Sequence, residues 1–181
     1  MAATEAGGDT RRLFFALWPD DGLRSGLAAL TRELAAQCGG RAMAPGNLHA
    51  TLAFLGNVPH ARVAEFVTLA DGLAAAPFEL VLDIVEHWRH NRIVWAGTHV
   101  VPPALSDLAA AMRRGLKDLA WPVDDRPFAA HVTLLRDARR GPAVRAARLP
   151  VWQVRDFVLV ESTQQPGGVR YTPLRRWSLK P

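Results

Sequence analysis

Two short stretches of the 181-residue chain pair an imidazole with a hydroxyl two positions later: HATL at 49–52 and HVTL at 131–134. Side chains alternate across a β-strand, so His49 shares a face with Thr51 and His131 with Thr133. Leu48, Ala50, Leu52 and Phe54 fall on the opposite face of the first stretch, Val132 and Leu134 on that of the second; both apolar faces are expected to be core. If the two strands look into one space, two imidazoles and two hydroxyls converge. That set suits the opening of a cyclic phosphate. One imidazole takes a proton from attacking water and the other protonates the departing ribose oxygen, both near neutral pH. The hydroxyls donate to phosphate oxygens that gain charge in the transition state. A lone histidine in a strand is usually structural. The matched repetition is what points to a catalytic pair, and this chemistry requires no metal.

The surrounding pattern supplies the elements that must hold these side chains. RLFFAL at 12–17 is an apolar run of strand length. Asp20 then caps a helix with Leu23, Leu27, Leu30 and Leu34 at helical spacing, ended by Gly39 and Gly40. A strand at 48–56 carries the first motif, and a helix follows over 61–75. FELVLDIVEHW at 78–88 and RIVWAGTHV at 92–100 are expected to pair across a turn at Arg89–Asn91. A second amphipathic helix spans 103–120, a strand at 129–137 carries the second motif, and 138–150 reads as loop. Strands at 154–163 and 170–179 are joined by a turn at Pro166-Gly167-Gly168.

Strand, helix and histidine strand occur twice. His49 follows Arg12 by 37 positions, and His131 follows Arg92 by 39. The expected fold is α+β: bilobal, two pseudo-symmetric halves of antiparallel sheet flanked by helices, with a central cleft. Residues 1–10 read as a flexible N-terminal tail. Residues 11–181 read as one bilobal domain with sequence halves of about 11–90 and 91–181.

Composition narrows the chemistry. With 49% hydrophobic residues the chain can bury a sizeable core. Its net charge of +5 favours anionic partners. Lys117 and Lys180 are the only lysines, so the positive charge is carried by arginine, which can grip phosphate with two hydrogen bonds. Cys38 is the only cysteine, which excludes an internal disulfide or a cysteine zinc cluster and is compatible with a cytoplasmic location. No apolar run reaches membrane-spanning length. The first ten residues lack the basic start and apolar run of a secretory signal.

RLFFAL, NLHATLAFLG at 47–56, RPFAAHVTLLRDA at 126–138 and RYTPLRRWSL at 170–179 together resemble the RNA 2′,3′-cyclic phosphodiesterases. These are the LigT-like members of the two-histidine (2H) phosphoesterase superfamily. The resemblance spans about Arg11 to Leu179. It implies a site between lobes that hydrolyses a ribose 2′,3′-cyclic phosphate, on RNA ends or cyclic nucleotides, to a 2′-phosphomonoester. His49 would protonate the leaving 3′ oxygen, His131 would activate water, and Thr51 and Thr133 would hold the phosphate. No nucleotide cofactor or metal is implied, and neither a membrane nor an obligate protein partner is indicated. Many relatives carry a larger residue than Ala50, a core position that leaves the chemistry untouched.

Further candidates are weaker. Arg136 follows the second motif, but strict alternation turns it away from His131 unless the strand ends or bulges. Arg170 and Tyr171 are expected near the substrate, Tyr171 by stacking on a base. Phe14 and Phe15 are neighbours, so at most one faces the cleft. His60, His87, His90 and His99 are expected to be surface or structural, and the tryptophans to be core or hairpin packing. Arg139, Arg140, Arg145 and Arg148 make a basic stretch that is solvated by default. Two other functions compete: a 2′–5′ RNA ligase acting on tRNA halves with the same histidines, and a non-catalytic RNA-binding module. The matched acid–base pair argues against the last.

Overall fold

The computed structural model describes residues 9–124, 126–143 and 146–180. Strand β1 (Thr10–Leu17) shows why RLFFAL reads as an unbroken apolar run. Leu13, Phe15 and Leu17 enter the main core, while Phe14 and Ala16 join a second cluster with Val158 and Val160. The strand is covered on both faces. Phe15 is fully buried, which contributes about 1.5–3 kcal/mol. The expected tail overlaps this strand. Asp9 accepts a hydrogen bond from the His60 amide and Thr10 pairs with Pro59. Residues 1–8 lie outside the described part.

Helix α1 (Asp21–Cys38) begins where Asp20 Oδ1 accepts the Leu23 amide at 2.8 Å. It ends at Gly39, whose φ of 66° is left-handed. Gly40 also has positive φ, and a Cβ there would come within 2.6 Å of the Arg136 carbonyl oxygen. The two glycines thus let the end of α1 meet the end of the second histidine strand. Strand β2 (Arg41–Ala42) follows, then a 3₁₀ turn at Pro45–Asn47 and strand β3 (Ala50–Pro59). Next come a 3₁₀ turn at His60–Arg62 and helix α2 (Val63–Asp71), shorter than the expected 61–75.

The expected strand at 78–88 is two strands. β4 (Phe78–Leu80) pairs with β8 (Trp152–Val154), whereas β5 (Ile84–Trp88) pairs with β6 (Ile93–Gly97). The break falls at Asp83, whose carboxylate accepts the His99 amide at 3.0 Å and lies 3.1 Å from His99 Nδ1. Asp83 also bonds through its backbone to Gly97 and Ala147, so the chain is handed from the two-stranded β4–β8 sheet to the large one. Helix α3 (Pro103–Asp118) buries Leu105, Leu108, Met112 and Leu116. Strand β7 (His131–Arg136) carries the second motif. Strands β9 (Asp156–Gln165) and β10 (Gly168–Ser178) close a hairpin over Pro166 and Gly167.

Among the described residues, eight strands form one antiparallel sheet in the order β10-β9-β1-β3-β7-β6-β5, with β2 also on β7. The repeat is visible in it: β1-α1-β3 and β6-α3-β7 meet at the β3–β7 pair. The sequence halves exchange strands, however. β5, from the first half, extends the β6–β7 side, and β9 and β10, from the second, extend the β1–β3 side. Helices cross over as well, α1 packing on β7 and α3 on β3. No helix among the described residues is long and apolar enough to cross a membrane.

Candidate active site

β3 and β7 touch through one registered pair, Ala50 with Val132. Both are buried, so the residues on either side of them point the other way, into a cleft of about 670 Å³. His49, Thr51, His131 and Thr133 all line it. Antiparallel register sets Thr133 opposite His49 and Thr51 opposite His131. Both imidazoles therefore share the cleft with both hydroxyls.

Each ring is held in the same way. His49 Nδ1–H donates to the Asn47 carbonyl at 2.7 Å, and His131 Nδ1–H donates to the Ala129 carbonyl at 2.8 Å. A carbonyl can only accept, so Nδ1 carries the proton and Nε2 is the lone-pair end of each neutral ring. His49 Nε2 accepts from the Thr51 hydroxyl at 3.0 Å.

Aromatic rings surround both histidines. Trp18 stacks on His49 with centroids 5.8 Å apart and planes at 17°, Phe14 lies at 4.8 Å, and Tyr171 meets the ring edge-on at 5.1 Å. Trp88 and Trp95 meet His131 edge-on at 4.6 and 5.9 Å. Burial is the largest influence on both imidazoles and disfavours their charged forms. It pushes His49 down to about 4; the Asn47 carbonyl resists, while the charges of His131 and Arg136 add to the depression. His131 is also lowered, by burial and by Arg136 against the pull of the Ala129 carbonyl.

Arg136 lines the cleft, and a bulge puts it there. Trp95 pairs with Thr133 but Val94 pairs with Leu135, so β7 holds one extra residue. Leu134 and Leu135 are both buried, and the phase of the strand is reversed beyond them. Tyr171 is also in the cleft, fixed by Asn47, whose Oδ1 accepts the Tyr171 amide at 3.1 Å and whose Nδ2 donates to the Val169 carbonyl at 2.7 Å. Arg170 is exposed on the other side of β10 and does not line the cleft. Phe14 faces the cleft and Phe15 the core, as neighbours on a strand must.

Several placements correct the reading of the sequence. Phe54 was expected in the core. It is 52% exposed and lines the cleft, because β3 bulges at Leu52 and Leu55 to keep those leucines buried. Trp18, Trp88 and Trp95 pack on the two histidines, although their alternation with core residues was the only available sign. His90 and Asn91, in the β5–β6 turn, also line the cleft. Arg139 and Arg140 bond to the end of α1 through Cys38 and Gln37, and Arg148 is exposed away from the cleft lining. Arg145 lies outside the described residues. No group of three or more His, Cys, Asp or Glu side chains among the described residues is arranged to hold a metal.

Comparisons with known proteins identify the family. The family model of LigT-like phosphoesterases matches residues 17–95, which include the first motif. The RNA 2′,3′-cyclic phosphodiesterase of Escherichia coli strain K12 is 37% identical over 141 residues, covering 77% of this chain and 80% of that protein. This chain belongs to the LigT-like phosphoesterase family. A second relative, the RNA 2′,3′-cyclic phosphodiesterase of Archaeoglobus fulgidus, is 32% identical over 174 residues, covering 91% of this chain and 98% of its own. The crystal structure of E. coli LigT complexed with 3′-AMP superposes with a TM-score of 0.89 at 33% identity, covering 96% of this chain and all of that one. A phosphate complex of the same protein gives 0.82 at 32% identity over the same share of this chain.

Proposed function

We propose that the protein hydrolyses ribose 2′,3′-cyclic phosphates on RNA ends or nucleotides to 2′-phosphomonoesters, without a metal. The observation that carries the reading is the pair of imidazoles tied by Nδ1 to backbone carbonyls on either side of the Ala50–Val132 junction. Neutral His131 takes a proton from water through Nε2 as the water oxygen attacks phosphorus. The P–O3′ bond breaks, and His49 Nε2–H gives its proton to the departing 3′ oxygen. Thr51, Thr133 and Arg136 hold the non-bridging oxygens as they gain charge.

Burial keeps His131 neutral, as a base must be. It opposes the charged form that the acid role asks of His49. The cyclic phosphate resolves this opposition, because an anion between the rings favours the imidazolium and offsets Arg136. His49 therefore takes up its proton with the substrate rather than before it. The names of the relatives and the family membership support the substrate class. Ligation through a 2′–5′ bond would be the same step with an RNA 5′-hydroxyl in place of water, its oxygen bonding to phosphorus as the P–O3′ bond breaks. Incubation with 2′,3′-cyclic AMP in EDTA, followed by separation of 2′-AMP from 3′-AMP, tests the proposal. Release of 2′-AMP is expected; an intact substrate would overturn it.

A further inference from the structure

The two histidines are held alike, but the residues that hold them are not. The carbonyl that accepts His131 Nδ1–H belongs to Ala129, whose side chain is a methyl group. The one that accepts His49 Nδ1–H belongs to Asn47, whose side chain makes two further bonds. Setting the tautomer needs only the carbonyl, so the amide serves something else. Strand β10 ends the sheet and, among the described residues, has a strand neighbour on one side only. The other edge carries backbone groups that need partners. Asn47 answers two of them as a strand residue would. Its Oδ1 accepts the Tyr171 amide at 3.1 Å, and its Nδ2 donates to the Val169 carbonyl at 2.7 Å.

What these bonds hold is the cover of His49. Tyr171 meets the imidazole edge-on with centroids 5.1 Å apart, and meets Phe14 at 5.0 Å. Tyr171 and Trp18 both pack on the small core that contains Phe14, so the rings around His49 share one apolar base. A Cβ on Gly167 or Gly168, at the hairpin turn, would meet nothing within 4 Å. The turn therefore does not pin the hairpin to the histidine strand, whereas the Asn47 amide does. We propose that Asn47 is a positioning residue for His49. Its carbonyl aims the ring, and its side chain keeps the start of β10, with Tyr171, closed against it. Freed from Asn47, β10 can draw Tyr171 away, admit water to the imidazole and loosen the direction in which Nε2 delivers a proton. His131 has no such side-chain clasp, and a base that takes its proton from water must leave room for the water. The acid role of His49 rests on the cyclic-phosphate reading above; the clasp itself does not.

The test uses Asn47→Ala and Tyr171→Ala, alone and together, in the full chain. In the ligand-free protein, NMR of the ring protons should show the His49 titration moved up from about 4 toward 6.5 in Asn47→Ala, as water reaches the ring. The titration of His131 should stay in place. His131 and Arg136, the charged groups that bear on His49, are the same in both proteins. On 2′,3′-cyclic AMP kcat should fall by about 10–100-fold, the cost of a misplaced reacting group. That loss should largely vanish on the analogue with sulfur for the 3′ oxygen, whose departing thiolate needs no proton. Tyr171→Ala should move the same titration, and adding Asn47→Ala to it should change titration and kcat little further. Asn47→Ser, too short to span both groups, replaces the alanine variant if that does not fold. A purely structural Asn47 would lower Tm alone. A His49 titration that stays near 4, a kcat loss equal on both substrates, or losses from the two substitutions that multiply in full would each overturn the proposal. Wild-type enzyme that opens neither substrate would overturn the cyclic-phosphate reading, while the titrations still decide whether Asn47 closes Tyr171 over His49.

Discussion

Ala50 lies opposite Val132 in the one registered pair joining β3 to β7, and that contact directs both imidazoles into the same cleft. Two buried apolar side chains turn down into the core, and the residue on each side of them must turn up. The histidines need no separate device to converge. The local tie from each Nδ1 to the carbonyl two residues earlier then leaves Nε2 as the lone-pair nitrogen of each neutral ring.

Removal of either ring should be costly and similar in size. His49→Ala and His131→Ala are each expected to lower kcat by about 10²–10⁴-fold, the usual worth of a positioned acid or base. The double variant should fall well short of the product of the two losses, since both groups serve one transition state. Steady-state rates on 2′,3′-cyclic AMP check this. Near-normal turnover in either single variant would move the chemistry elsewhere.

Burial of His49 has a thermodynamic sign. Its folded pKa of about 4 stands below the ordinary 6.5, so between these values the unfolded chain binds a proton that the folded chain does not. The contribution to stability is complete above pH 6.5 and is lost as pH falls toward 4. His49→Gln should therefore lose less Tm than wild type between pH 7 and pH 5. Inorganic phosphate in the cleft should raise the His49 titration, seen by NMR of the ring protons. Equal acid sensitivity of the two proteins would contradict the assignment.

Arg136 disfavours the charged form of both imidazoles. Arg136→Gln should raise both their titrations and at the same time weaken 2′-AMP binding by tenfold or more, about the worth of one charged hydrogen bond. Titration followed by calorimetry separates the two effects. Unchanged affinity for the nucleotide would remove Arg136 from the phosphate site.

Gly40 lies against the backbone of that arginine. Gly40→Ala would drive a Cβ into the Arg136 carbonyl and the Ala138 amide in a left-handed conformation. A loss of about 1–3 kcal/mol is expected, with a fall in activity as the end of β7 shifts. Denaturant melts report the first and rates the second.

The sequence carried the repeat, the two motifs and the core faces of α1 and α3, because each is written in local period and side-chain type. Asp20 and Gly39 marked both ends of α1. What stayed hidden was set by register between distant strands. The β7 bulge that turns Arg136 inward exists only relative to β6, and the β3 bulges that expose Phe54 exist only relative to β1. A period-two reading must place both residues on the wrong face. Trp18, Trp88 and Trp95 read as packing and do pack, but what they pack on is the histidine pair. Asn47 looked like ordinary motif context; its role as a clasp for Tyr171 depends on a strand 124 residues away.

The central claim gives His49 and His131 different roles, and a leaving-group substitution tests it most directly. In a nucleoside 2′,3′-cyclic phosphate with sulfur in place of the 3′ oxygen, the departing thiolate needs no proton. His49→Ala should regain most of its lost rate on this substrate, whereas His131→Ala should remain as slow as on the oxygen compound. A His49→Ala enzyme that is equally impaired on both substrates would contradict the assignment of His49 as the acid.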